Sequence, residues 1–267
     1  MSQLSVIKIG GKVIDQPDAL QKFLTGFSRI PSPKILVHGG GTSASQFAEK
    51  VGVPVQMVEG RRITDAAMLK VVVMIYAGWV NKQIVSGLQA RSNQALGVTG
   101  ADLNLIKSRK RPPQPIDFGY VGDVTQVNSA ALKGLLEQGV VPVLAPITHD
   151  GKGNLLNTNA DTIAAEVAMA MASDYDVHVG FCFEKKGVLL DVEDENSVLN
   201  TLSYRKFQEL RAIEKINAGM IPKLDNAFRI LESGVGSVRV MHFGDINHWT
   251  ETFSSNQYFL GTKLQTT

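Results

Sequence analysis

The sequence predicts a three-layer αβα sandwich around an open, mainly parallel sheet. Three observations point there. Short β-rich runs alternate with helix-like runs along the 267 residues. Several of the β runs are apolar at successive positions, as strands covered on both faces require. Two of them end in glycine clusters, KIGG and VHGGG, at the strand ends where open α/β sheets gather ligands.

The elements follow in order. LSVIKI reads as a strand, then a helix over 17–27, whose first turn suits Pro17 because its missing N–H is no loss there. KILVH is a second strand, and Thr42 is the expected cap of a helix running to Lys50. Helical character from 64 to 91 opens with Thr64 as its expected cap and reads as two helices, interrupted at Gly78 and Trp79. QALGVTG is a third strand. Residues 104–128 mix Pro, Gly and Tyr with short β runs and read as a hairpin excursion. A helix over 130–138 stops at Gly139. VVPVLAPI is a fourth strand, expected to be irregular at Pro142. After a short hairpin around GKGN comes a helix over 159–172, with Asn159 as its N-cap. YDVHVGF and VRVMHF are later strands, and 202–210 and 221–232 are helical. A soft boundary near 172–175 divides the chain into lobes 1–174 and 175–267.

Composition narrows the function classes. Apolar residues make up 44%, and 27 basic against 25 acidic side chains leave a net charge of +2. Nothing there suggests nucleic acid as a partner. The lone Cys182 excludes an internal disulfide and a Cys-rich metal site, and the five histidines are scattered, so no metal-ligating set is expected. No apolar run reaches about 18 residues, so no membrane span is expected. No signal-like start is visible, and a soluble, cytoplasmic protein is the expectation.

Particular residues point to anion chemistry. Glycines at strand ends let backbone N–H groups approach an anion, and a helix start beyond the loop adds to that preference. Neither loop is a P-loop or a dinucleotide fingerprint. Lys8 stands in an otherwise apolar strand, where a buried ammonium needs an anionic partner. Lys223 sits near the start of an amphipathic helix, the end that disfavours positive charge unless an anion compensates. LLNTNAD places Asn157 and Asp161 four residues apart, with Asp161 in a first helical turn that favours acidic residues anyway. In EGRRIT, Arg61 and Arg62 precede a helix, and an arginine matches a carboxylate with two parallel hydrogen bonds.

The ordered set KIGGK, VHGGG, EGRRIT, LLNTNAD, GMIPK and FLGTKL resembles the acetylglutamate kinases of the amino acid kinase family, over almost the whole chain. The resemblance implies the family's αβα fold, a homodimer, and γ-phosphoryl transfer from ATP with Mg²⁺ to the side-chain carboxylate of an N-acylated L-glutamate. That acceptor is N-acetyl-L-glutamate in arginine biosynthesis, with N-succinyl-L-glutamate as an alternative for which Arg61 would be a suitable basic neighbour. It implies acceptor binding in the N-terminal lobe and nucleotide binding in the C-terminal one. By the same resemblance Lys8, Lys223 and Asp161 form the catalytic set. Gly10, Gly11, Gly40, Glu184 and Lys185 fall on the nucleotide side, and Gly40, Gly41, Arg62 and Asn157 on the acceptor. Relatives commonly carry a hydroxyl residue and an aspartate in a stretch like LLTDVxGV. FCFEKKGVLLD here puts Phe183 and Glu184 at those positions, with Lys185 and Lys186 beside them. The arginine-inhibited, hexameric relatives carry an extra N-terminal helix, which implies a dimer without arginine feedback here. Carbamate, glutamate 5- and aspartate kinases are the enzymatic rivals. A non-catalytic binding protein of the same fold is the other.

Overall fold

The computed structural model describes residues 1–58, 60–191, 193–216, 220–254 and 260–266. The chain enters through β1 (Gln3–Ile9), makes the single turn α1 (Gly11–Ile14) and continues into α2 (Pro17–Ser28). Next come β2 (Lys34–His38), α3 (Gly41–Lys50) and a small ribbon of β3 (Met57–Val58) and β4 (Arg61–Arg62). α4 (Ala66–Val72) runs through a π-helical segment, Val73–Val80, into α5 (Asn81–Gln89). β5 (Ala95–Val98), β6 (Ile106–Lys110), β7 (Gly122–Val127) and α6 (Ser129–Glu137) follow. Then come β8 (Val141–Leu144), β9 (Ile147–His149), β10 (Leu155–Asn157) and α7 (Ala160–Met171). The last third adds β11 (Asp176–Phe183), β12 (Thr201–Ser203), α8 (Tyr204–Ala212) and α9 (Ile221–Glu232). β13 (Ser237–His242), α10 (Glu251–Ser254) and β14 (Thr262–Gln265) complete it.

The main sheet has the order β12-β14-β13-β11-β1-β2-β8-β5. All neighbours are parallel except β13 and β14. β10, β9, β6 and β7 form a separate small sheet. Because β11 lies beside β1, both halves of the chain share one sheet.

Two cores lie on the two faces. Leu4 and Val6 of β1 point to the layer of α6, α7, α8 and α9, packing with Leu132, Ile163, Phe207 and Leu224. Ile7 and Ile9 point to the opposite layer, with Phe23, Val72 and Ile84. The period of two in a strand therefore assigns Lys8 to the Leu4 and Val6 face. That is the face covered by α7 and α9.

Local differences from the sequence expectations have physical reasons. Asp65, not Thr64, caps α4, its carboxylate accepting the N–H of Met68 at 2.7 Å. No side chain caps α3. Its N-cap is Gly40, at φ +152°, a conformation that a side chain would resist. Gly78 does not interrupt the helix, because the π segment carries the chain straight through it. Pro142 leaves β8 regular, since pairing with β2 begins only at Val143 and needs no N–H from residue 142. Residues 202 and 203, expected as the start of a helix, belong to edge strand β12. The fusion of α4 with α5 also makes Ala66–Gln89 one helical stretch long and apolar enough, by composition alone, to cross a bilayer. Its Met68, Val71, Val72, Ile84 and Leu88 are instead packed into the second core.

Candidate active site

The carboxyl ends of β1 and β2 open onto a cleft of about 830 Å³. Lys8 reaches it from below. Its Nζ stands 2.7 Å from Asp161 Oδ1, both side chains being about nine-tenths buried. Asp161 is in the first turn of α7. Asn159 caps that turn as expected, accepting the N–H groups of Asp161 at 2.8 Å and Thr162 at 3.1 Å. Lys223 comes from the first turn of α9, with its Nζ 5.3 Å from the centre of the Phe183 ring. Lys8, Asp161 and Lys223 all line the cleft, and all line a narrow recess behind it walled by Phe181, Cys182 and Phe183.

The charges are balanced but crowded. Burial pushes the Asp161 carboxyl up, yet Lys8 and Lys223 outweigh it and hold the group below the usual carboxylate range. Burial, with repulsion from Lys8, pushes the Lys223 ammonium below its ordinary pKa. Two ammonium groups facing one carboxylate leave a surplus of positive charge, which suits an incoming anion. Burial raises the pKa of the Cys182 thiol, so it packs as an unreactive side chain.

The glycine loops complete the floor. A Cβ on Gly11 would lie 3.3 Å from Gly40 N and 3.4 Å from Gly41 N. Any side chain there would crowd these backbone nitrogens. Among the described residues, no acceptor takes the N–H of Gly11, Gly40 or Gly41.

The expected acceptor residues also line the cleft. Arg62 Nη2 donates to Gly41 O at 2.8 Å and to Ser45 Oγ at 2.7 Å. Asn157 Nδ2 donates to Thr64 Oγ1 at 3.0 Å. Arg61 also lines the cleft.

Three expected residues do not line it. Gly10 is turned to the sheet, its N–H donating to Cys182 O at 3.0 Å. Glu184 pairs with Lys12 at 2.9 Å, just beyond the end of β11. Lys185 is half-buried beside it. Other residues at the cleft went unpredicted. Tyr76 projects from the π segment, buried against Gly40 and Arg62. Arg111 lines the cleft with its guanidinium 2.6 Å from Asp123. Thr64 orients Asn157 rather than capping a helix. A tyrosine in an apolar helix gives no sequence signal, and Arg111 is one of several basic residues in SRKRPP.

The family model for the amino acid kinase family matches residues 3–242. The chain belongs to the amino acid kinase family. Among its relatives in the family, the acetylglutamate kinase of Phocaeicola vulgatus is 51% identical over 250 residues, covering 94% of this chain and 97% of that protein. The acetylglutamate kinase of Cytophaga hutchinsonii is 48% identical and covers 99% of both chains. Among solved structures, smu.665 from Streptococcus mutans superposes with a TM-score of 0.79 at 27% identity, covering 99% of each chain. The N-acetylglutamate synthase of Neisseria gonorrhoeae, solved with coenzyme A and N-acetyl-glutamate, gives a TM-score of 0.82 at 20% identity. That match covers 99% of this chain and 59% of the synthase, and shows a shared amino acid kinase fold.

Proposed function

We propose that this amino acid kinase transfers the γ-phosphoryl group of ATP to the side-chain carboxylate of N-acetyl-L-glutamate, in arginine biosynthesis. The observation that carries the reading is the convergence of Lys8, Asp161 and Lys223 with the Gly11, Gly40 and Gly41 amides on one cleft. The relatives that cover nearly the whole chain are acetylglutamate kinases.

In the proposed reaction a carboxylate oxygen attacks the γ-phosphorus as the bond to the β–γ bridging oxygen breaks. The products are an acyl phosphate and ADP. The acceptor is already ionised, so no base is required, and Asp161, held ionised between two lysines, serves to place them. Lys8, Lys223 and the loop amides meet the charge on the phosphoryl oxygens, which is the dominant form of catalysis in such transfers. Arg62 supplies a fork for the α-carboxylate of the acceptor, and Asn157 a nearby amide. The described residues contain no group of three or more His, Cys, Asp or Glu side chains that could cage a metal. In this reading Mg²⁺ would be held chiefly by the ATP phosphates, where it would offset their charge. In this reading residues 1–174 bind the acceptor. Residues 175–267 bind the nucleotide, with Glu184 and Lys185 at its edge. The homodimer expected from the resemblance is supported by Met74 and Trp79, which are 52% and 62% exposed on the long helix.

A second reading, N-succinyl-L-glutamate as acceptor, is favoured by Arg61 and Arg111, both at the cleft and both able to meet a second carboxylate. Acyl phosphate trapped with hydroxylamine decides between the readings, with N-acetylglutamate, N-succinylglutamate, glutamate and aspartate compared in parallel. Turnover of N-acetylglutamate is the expected result. A preference for the succinyl compound that vanishes in Arg61→Ala would move the assignment to the second reading. Activity with none of the four, in the presence of ATP and Mg²⁺, would leave a non-catalytic binding protein.

A further inference from the structure

His38 ends β2 and is fully buried. Its Nδ1 lies 2.7 Å from Gly39 O, and its Nε2 lies 3.1 Å from Asn81 Nδ2. The same Asn81 nitrogen donates to Val143 O at 2.9 Å, and Asn81 Oδ1 accepts from Lys82 Nζ at 3.1 Å. An ammonium group can only donate, so it fixes the oxygen end of the amide. The NH₂ end therefore faces the imidazole. An NH₂ group can only donate as well, so Nε2 must be the bare nitrogen. The ring proton then sits on Nδ1 and is donated to Gly39 O. Burial and the nearby Lys82 push the imidazole pKa down to about 4, so the ring stays neutral at ordinary pH.

This chain of donors has a consequence for the cleft. The Gly39–Gly40 peptide is not among the cis bonds of the protein. In a trans peptide the carbonyl and the following N–H point in opposite directions. Holding the Gly39 carbonyl at the His38 ring therefore aims the Gly40 N–H the other way, towards Gly11 and the cleft. From the side, a Cβ on Gly40 would lie 2.9 Å from Tyr76 Cδ1, so that ring closes off another direction of movement.

We propose that His38 and Asn81 are positioning residues for phosphoryl transfer, locking the Gly39–Gly40 peptide so that the Gly40 amide is aimed in advance at the transferring group. Donors fixed before the reaction need not reorganise as charge develops, and their benefit appears in kcat. The proposal rests on the kinase reading above.

The test combines kinetics with ring nitrogen shifts. His38→Leu and Asn81→Leu are expected to lower kcat about tenfold or more, with the acceptor KM within about threefold of the parent. His38→Asn, whose amide nitrogen can replace Nδ1 as donor to Gly39 O, is expected to recover most of the loss. The ¹⁵N shifts of His38 in the parent protein should show a protonated Nδ1 and a bare Nε2. A bare Nδ1 overturns the proposal whatever the activity, and needs no variant to fold. A His38→Asn enzyme as impaired as a folded His38→Leu enzyme also overturns it, as does a change confined to KM. If the parent phosphorylates no acceptor, the kinase reading fails, and the ring shifts still decide the hydrogen-bond chain.

Discussion

Lys8 is a lysine where the strand alternation demands an inward side chain, and it is tolerated there because Asp161 meets it at 2.7 Å. Replacing it should damage chemistry more than binding. Lys8→Ala is expected to lower kcat about 100-fold or more, with a smaller effect on acceptor KM, in a steady-state assay. A fall of under about threefold would remove Lys8 from the transfer step. His38 makes a prediction of a different kind. Its folded pKa, about 4, lies below the ordinary 6.5. Between those values the unfolded chain takes up a proton that the folded chain refuses. Its contribution is thus complete above pH 6.5 and is lost as pH falls towards 4, on the order of 3 kcal/mol in all. Urea unfolding at pH 7 and 4.5 should show a smaller acid loss for His38→Asn than for the parent. Of these residues, Lys8 was legible in the sequence because a charge among apolar neighbours is conspicuous. His38 and Asn81 were not, because their roles depend on a contact between residues 43 apart.

At the scale of elements, helix ends were the least legible feature. The sequence offers Thr42 and Thr64 as caps, but the fold uses Gly40 and Asp65. In each case a residue one or two positions away met the local need, and sequence alone ranks such neighbours poorly. α2 shows a still less visible device. The buried Lys34 of β2 donates to Phe27 O and Ser28 O at 3.0 Å and to Ile30 O at 2.7 Å. It thus satisfies the carbonyls at that helix end from another element. Lys34→Met keeps the stem but removes the donors. It is expected to cost about 2–3 kcal/mol, read as a lower urea midpoint with little change in kcat. The π segment was equally hidden. The apolar run VVVMIYAGWV looks the same whether it winds as α or π, and only the backbone hydrogen-bond pattern of Val73–Val80 distinguishes them.

For the whole molecule, the alternation of strands and helices made the layered architecture readable. Order within the sheet was not readable, because nothing local states that a strand near residue 180 pairs with one near residue 6. The site inherits that limit: its glycines are visible as motifs, while their meeting with Arg62 and Tyr76 belongs to the tertiary fold. The proposed homodimer belongs to this scale. Trp79→Glu should shift sedimentation from dimer towards monomer if the exposed face of the long helix is buried between copies. An unchanged dimer would put the interface elsewhere.

The place of β1 between β2 and β11 has a consequence for biosynthesis. One edge of β1 can pair early, since β2 follows closely. The other stays open until the ribosome has delivered residues beyond 176, leaving apolar backbone available to stray partners meanwhile. A fragment ending at residue 174 keeps that edge bare permanently. It should self-associate, scattering light at concentrations where the full chain stays clear.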